Sequence, residues 1–314
     1  MPLRIAYFGS SEFSASVMEA LARDSRFEIV IVITQPDSVQ GRKREMTAPP
    51  VKKAALRLGL AVWQPKSLKG PKATEKFLGF GLDFGVVVAY GKIVPEAFLN
   101  HPVHGFLNGH ASDLPRWRGA APIHRAILNQ DRFTAMTIMQ MTPRLDDGPV
   151  LLREQIPIGP EDGFLLLESR LLDSCFRLLP QALLNYSQIA PLAQDHALAC
   201  YAEKIGIVDG CIVLQDDIKV SFAKIRALEG LYGGILQLDG KKFAIFKARI
   251  EVENHSFELG SVVYLNRKGF GIALAGGILN PLEIQLEGKK RMHISAFMAG
   301  NQIGSEHVFC EIQA

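Results

Sequence analysis

The sequence predicts an α/β fold: a doubly wound, mostly parallel sheet followed by a small β-barrel. Short apolar runs alternate with helical periodicity in the first part of the chain. Irregular, polar sequence occupies about residues 191–205, and beyond Asp209-Gly210 come short alternating segments separated by Gly-bearing turns. Alternating strand and helix patterns argue for parallel βαβ units, whereas closely spaced strands with turn residues argue for a barrel.

Taken in order, Leu3 to Gly9 and Glu28 to Thr34 read as buried strands, with a helix over Phe13–Arg23 between them. Lys52–Leu58 fits a helix, and Gly85-Val86-Val87-Val88-Ala89 another buried strand. Phe164–Leu184 carries the apolar spacing of one long core helix. The barrel strands are expected at 211–214, 234–238, 243–250, 261–265 and 269–274.

In a doubly wound sheet, ligands gather outside the carboxyl ends of the strands, where strand order reverses. Gly9-Ser10-Ser11-Glu12-Phe13, Tyr90-Gly91-Lys92 and Asn108-Gly109-His110 all follow predicted strands and can converge there. The first is not a GxGxxG fingerprint, so a dinucleotide is poorly supported, although Gly9 and Ser10 can present backbone amides at a helix start.

With 314 residues, 48% of them hydrophobic and 21% charged, the chain is long enough for two domains with separate cores. No apolar stretch approaches a membrane span, and the N-terminus lacks the apolar length of a signal peptide. Cys175, Cys200, Cys211 and Cys310 form no CxxC pair, so neither zinc nor a disulfide framework is indicated, and reduced thiols in a cytoplasmic protein are expected. His104 and His110 lack further ligands, and no metal is expected.

The net charge is +3, yet residues 42–76 hold ten Lys or Arg against Glu45 and Glu75, a local 10 − 2 = +8. Such a segment attracts phosphate backbones and should do so less as salt rises; its bland reading is a solvated surface. Residues 209–314 contain twelve basic and twelve acidic residues, hence no net charge, with one concentrated cluster at Lys289, Lys290 and Arg291.

The most informative text is Asn108-Gly109-His110-Ala111-Ser112-Asp113-Leu114-Pro115-Arg116-Trp117-Arg118-Gly119-Ala120-Ala121-Pro122, together with Leu145-Asp146-Asp147-Gly148. It supplies an amide, an imidazole and a carboxylate, a set suited to acyl transfer to an amine. Asn108 or a protonated His110 can donate to a developing oxyanion. Asp146 can hold the imidazole charged or accept the amine proton through a water. Each residue also has a structural explanation, such as an Asx-turn at Asp146.

This text resembles the 10-formyltetrahydrofolate-dependent formyltransferases, whose signature sets Asn, a spacer and His before a Ser-Leu-Leu-Pro-like run. The tail Arg116-Trp117-Arg118-Gly119-Ala120-Ala121-Pro122-Ile123 is similar to that of the methionyl-tRNA branch. Further matches are Ala89-Tyr90-Gly91-Lys92-Ile93-Val94-Pro95, Gln194-Asp195, Tyr201-Ala202-Glu203-Lys204-Ile205, Leu282-Glu283-Ile284-Gln285 and Gly288-Lys289-Lys290-Arg291-Met292. The chain departs from the family at Gly109, where an apolar residue is usual, and at Asp113 and Asp147, which place two further carboxylates near the site.

The resemblance implies a catalytic domain over residues 1–190, a linker over 191–207 and an OB-like, tRNA-binding domain over 208–314. It implies formyl transfer from 10-formyltetrahydrofolate to the α-amine of methionine on initiator tRNA, with Asn108, His110 and Asp146 catalytic. The folate would be held by Ala89, Tyr90, Gly91, Ile93, Ser112, Leu114, Pro115, Leu145 and Gly148. Phe13, Arg42, Lys43, Arg44, Lys289, Lys290 and Arg291 would meet the tRNA, Arg42 through a guanidinium fork on phosphate. A cytoplasmic monomer is expected. Two rivals are a formyltransferase acting on an amino sugar nucleotide and a folate- or RNA-binding protein without catalysis.

Overall fold

A computed structural model of the chain describes residues 1–40, 45–301 and 303–312. The chain forms two compact units. One comprises Met1–Pro122, Phe133–Ile156 and Glu168–Ala202; the other comprises Ile123–Arg132, Pro157–Leu167 and Glu203–Ala314.

The first unit opens with β1 (Leu3–Gly9), α1 (Glu12–Arg23), β2 (Phe27–Ile33), β3 (Ser38–Gln40) and β4 (Glu45–Thr47). It continues with α2 (Pro50–Arg57), β5 (Val62–Trp63), α3 (Pro71–Leu78), β6 (Phe84–Val88), α4 (Glu96–Leu99), β7 (Phe106–His110) and β8 (Arg118–Gly119). In chain order follow α5 (Pro122–Leu128), which from Ile123 on belongs to the second unit, then β9 (Phe133–Gln140), β10 (Val150–Pro157), α6 (Phe164–Leu184), which belongs to the first unit from Glu168 on, and β11 (Tyr201–Ala202).

Seven strands form the central sheet in the order β10-β9-β7-β6-β1-β2-β5. The pairs β2·β5, β1·β2, β1·β6 and β6·β7 are parallel, and β9 runs antiparallel to β7. The order therefore reverses between β1 and β6, and the carboxyl ends of those strands are where a ligand crevice belongs. Continuous apolar runs such as Phe84–Val88, buried at every position, suit strands covered on both faces.

Helix α1 starts where the Ser11 side chain accepts from the Ser14 amide, and it buries Ala15, Met18 and Leu21. Over α6, Leu167, Leu171, Cys175 and Leu179 recur every four residues and are all fully buried. One sheet face carries an aromatic core in which Phe77 stacks on Phe98 at 4.1 Å and Phe8 meets the Tyr90 ring edge-on at 5.4 Å.

Gly109 is buried in the middle of β7 without a left-handed backbone. A Cβ there would meet Cys175 Sγ at 3.4 Å and Val88 Cγ2 at 3.5 Å, ordinary contact distances. Gly109→Ala is thus expected to stabilise the protein by about 0.5–1 kcal/mol through reduced backbone entropy in the unfolded chain. Thermal unfolding would read this as a Tm raised by about 1–4 °C; a lower Tm would mean the pocket beside Cys175 does not admit a methyl.

The second unit adds α7 (Ile218–Ala227), β12 (Gly234–Leu238), β13 (Lys241–Val252), β14 (Val262–Asn266), β15 (Gly269–Leu274), β16 (Gly277–Leu286), β17 (Met292–His293) and α8 (Ile294–Gly300). Its antiparallel sheet runs β12-β13-β16-β15-β14. Val308 bridges Ser261 beside β14, while Cys310 bridges Gln237 in β12, so one short segment connects the two edges. Between these bridges Phe309 is fully buried against Phe243 and Phe270.

Two expectations from sequence need correction. Residues 211–214 form no strand: Cys211 makes one isolated bridge to Ile235, and Leu214 takes up other contacts through its amide to Glu311. Asn108, Gly109 and His110 do not follow a strand but are its last three residues, because β7 continues its pairing with β9 through His110.

Candidate active site

Strand pleating places Asn108 and His110 on one face of β7 and Gly109 on the other. Both polar side chains are nearly buried, at 7% and 6% exposure. Asp146 arrives from the segment between β9 and β10 with a left-handed backbone, φ 47°, which a short polar side chain tolerates.

The Asp146 carboxylate collects donors on both oxygens. Asn108 Nδ2 donates to Oδ1 at 3.2 Å, and the Gly119 amide donates to Oδ2 at 2.9 Å. His110 Nδ1 lies 3.8 Å from Oδ2, while its Nε2 donates to the Trp117 carbonyl at 2.9 Å. That carbonyl fixes Nε2 as the nitrogen carrying hydrogen, leaving Nδ1 free to exchange a proton. One Asn108 amide hydrogen is spent on Asp146; the other is available for a substrate oxygen.

The segment after β7 is held by its own backbone. Thr137 Oγ1 donates to the Ser112 carbonyl at 2.6 Å, and Arg153 donates to the Leu114 carbonyl at 3.1 Å. The two additional carboxylates are each matched by a cation: Asp113 by Arg153 at 2.9 Å and Asp147 by Arg144 at 3.2 Å. Trp117, at φ 60°, lies under the Arg116 guanidinium and donates its amide to Cys200 Sγ at 3.3 Å.

Two residues that motif reading left without a role join this site. Gln194, 8% exposed, donates through Nε2 to the Asp146 carbonyl at 2.9 Å and the Gly148 carbonyl at 2.7 Å. Its Oε1 accepts from Arg118 Nε at 3.1 Å and Nη2 at 2.7 Å. Both residues stand in text that matches the family, which was the available signal, but no spacing rule links positions 76 residues apart.

The expected folate contacts divide into backbone and side-chain cases. Ala89 follows Val88, which is the register partner of Gly109, so the ends of β6 and β7 adjoin. Ala89 and Gly91 have φ 45° and 74° and are exposed, and Ile93 is 77% exposed. Tyr90 turns its ring into the core, where burial pushes the phenol up to about 12; its carbonyl accepts from Gln35 Nε2 at 2.7 Å and Ser10 Oγ at 3.3 Å. Leu145 is 58% exposed, and Pro115 is half-buried. Ser112 and Leu114 have buried side chains that offer a ligand no open surface, and Gly148 is buried as well.

Phe13 is half-buried in the first turn of α1. Arg42, Lys43 and Arg44 lie outside the described residues. Lys289, Lys290 and Arg291 are exposed between β16 and β17. Arg291 is engaged locally, donating to Glu283 at 2.6 Å and to the Glu229 carbonyl at 3.0 Å while covering the Phe246 ring. Among the described residues no helix is long and apolar enough to cross a membrane, and no group of three or more His, Cys, Asp or Glu is arranged to hold a metal ion.

Residues 3–183 match the formyl transferase family, and residues 204–302 match the formyl transferase C-terminal domain. A methionyl-tRNA formyltransferase of Dictyoglomus turgidum is 38% identical over 307 residues, covering 96% of this chain and 97% of the relative. One from Thiobacillus denitrificans is 38% identical over 304 residues, covering 96% and 98%.

Among solved structures, the N-formyltransferase from Helicobacter canadensis in complex with folinic acid and dTDP-3-aminofucose aligns with a TM-score of 0.67 at 17% identity, covering 90% of this chain and 99% of that one. HypX from Aquifex aeolicus with tetrahydrofolic acid aligns at 0.63 and 16% identity, covering 96% and 47%. At those identities the structures speak for the fold, while the two full-length relatives carry the assignment: this chain belongs to the methionyl-tRNA formyltransferase family.

Proposed function

We propose that the chain transfers a formyl group from 10-formyltetrahydrofolate to the α-amine of methionine on initiator tRNA, in the cytoplasm. The observation that carries this reading is the Asp146 carboxylate held by Asn108 and the Gly119 amide with His110 Nδ1 at 3.8 Å. That cluster stands at the end of β7, beside the sheet's reversal point.

A planar heterocycle with alternating donors and acceptors fits the adjoining strand ends. Ala89 and Gly91 expose left-handed backbone there, and Ile93 and Leu145 supply apolar surface. Bound there, 10-formyltetrahydrofolate supplies an activated one-carbon acyl group. Asn108 directs its unspent N–H at the formyl oxygen, where negative charge develops as the amine forms its C–N bond. His110 Nδ1 and Asp146 take the amine proton and return it to the departing folate nitrogen, so the proton balance closes within the pair.

The basic segment 42–76 gives an acceptor with a phosphate backbone a place to dock. The direct test is formyl transfer to methionine-charged initiator tRNA across a salt series, with charged elongator tRNA as control. Selective transfer that weakens with salt is expected. Folate binding without tRNA formylation, but with formylation of an amino sugar nucleotide, would replace this acceptor with the small one.

Arg42→Ala tests the loop's part separately. It is expected to raise KM for tRNA and flatten the salt dependence by about one phosphate contact, with donor affinity unchanged. Unaltered tRNA KM in that variant would remove Arg42 from the interface.

A further inference from the structure

We propose that Gln194 is a positioning residue for formyl transfer, acting with Arg118 as a clamp that holds the Asp146 carboxylate between its donors; this rests on the function proposed above. Gln194 spends both Nε2 hydrogens on main-chain carbonyls, those of Asp146 and Gly148. They flank Asp147 and fix the turn that keeps Asp146 at φ 47°. The same side chain reaches the opposite wall of the site. Its Oε1 accepts two N–H groups from Arg118, whose neighbours in sequence are Trp117, the acceptor for His110, and Gly119, the donor to Asp146.

One amide thus spans the segment that carries the carboxylate and the segment that carries its partners. Nothing in this arrangement places Gln194 on the reacting atoms; its effect passes through Asp146. Arg118 is only 3% exposed, and beyond Gln194 its guanidinium meets His196 Nδ1 at 3.2 Å. A buried cation fixed by neutral acceptors contributes little to stability for its desolvation cost, which is the pattern expected where it sets geometry. The fork also needs the planar shape of arginine.

Two variants separate the clamp from general packing. Gln194→Glu keeps an acceptor for Arg118 but turns oxygen toward the two carbonyls, and Gln194→Met keeps the volume without either function. Both are expected to lower kcat by about 10- to 100-fold, the scale of a slightly misplaced catalytic group, with KM for donor and tRNA within about twofold. In an Asp146→Asn background, Gln194→Met should cost nothing further, because residues acting through one another are not additive.

Hydrogen exchange at the Gly119 amide gives a readout independent of catalysis: slow exchange in the parent and fast exchange in folded Gln194→Met support the clamp even if the parent formylates no tRNA. Absent tRNA formylation in the parent overturns the proposed function alone. Unchanged Gly119 exchange together with parental kcat in Gln194→Met overturns the clamp alone.

Discussion

His110→Ala is expected to lower kcat by about 100- to 1,000-fold, within the usual contribution of a positioned group that moves a proton in the transition state. Single-turnover formylation would measure it, because product release cannot mask the chemical step there. The donor dissociation constant should stay near its parental value, since His110 is not among the residues assigned to the folate.

A structural cost accompanies the loss, because the Trp117 carbonyl forfeits the donor 2.9 Å away. Loss of one hydrogen bond costs about 1 kcal/mol, and a Tm lowered by a few degrees with secondary structure retained is the expected accompaniment. Near-parental kcat in folded His110→Ala would end the catalytic assignment of the β7 terminus.

Gly148→Ala is expected to be the most damaging single-methyl change in the site. An added Cβ would collide with the Gln140 carbonyl oxygen, which is backbone and has no rotamer to escape into. Either β9 or the 145–148 segment must move, and both bear on Asp146. Overpacking of this kind costs about 3 kcal/mol or more, which for a unit of this size lowers Tm by roughly 6–12 °C.

Activity should fall even below the new Tm, because the Gln194 bond to the Gly148 carbonyl depends on the same close approach. Thermal unfolding and kcat measured on one preparation would check both. Parental values for both would mean that the 145–148 segment is far more compliant than its hydrogen bonds imply.

Much of the architecture was legible because the relevant signals are local. Leu3 to Gly9 is an uninterrupted apolar strand between polar ends, and Leu167, Leu171, Cys175 and Leu179 mark a helix by spacing alone. The turns around Asp239-Gly240 and Arg267-Lys268 delimit barrel strands in the same way. Helix α7 has equally local signals, with Asp217 as its cap and Ile218 and Ile225 seven residues apart. Strand β16 was hidden by Pro281, a residue that argues against a strand interior and is accommodated here beside a register shift in β13.

In the site, the candidate trio of Asn108, His110 and Asp146 was visible through a resemblance spanning the 108–122 and 145–148 segments. Its support was not visible. Gln194 and Arg118 meet across 76 residues, and nothing about a lone Gln in irregular sequence announces two carbonyls and a guanidinium around it. Tyr90 illustrates the converse: the sequence puts it just past a strand, and only the structure shows its ring in the core and its carbonyl bonded to Gln35 and Ser10.

The bridge at Val308–Cys310 has a bearing on how the second unit comes to be made. Cys310 pairs with Gln237 across 310 − 237 = 73 residues, whereas β12·β13, β14·β15 and β15·β16 are joined by tight turns. Local hairpins close early and long-range pairings late. Until the distant segment docks, β14 and the part of β12 beyond its Ile235 bridge to Cys211 present unpaired amides and carbonyls, the surface on which strands of different molecules add to one another. The hazard is kinetic and self-limiting: seating Phe309 in the core removes both open edges in one event.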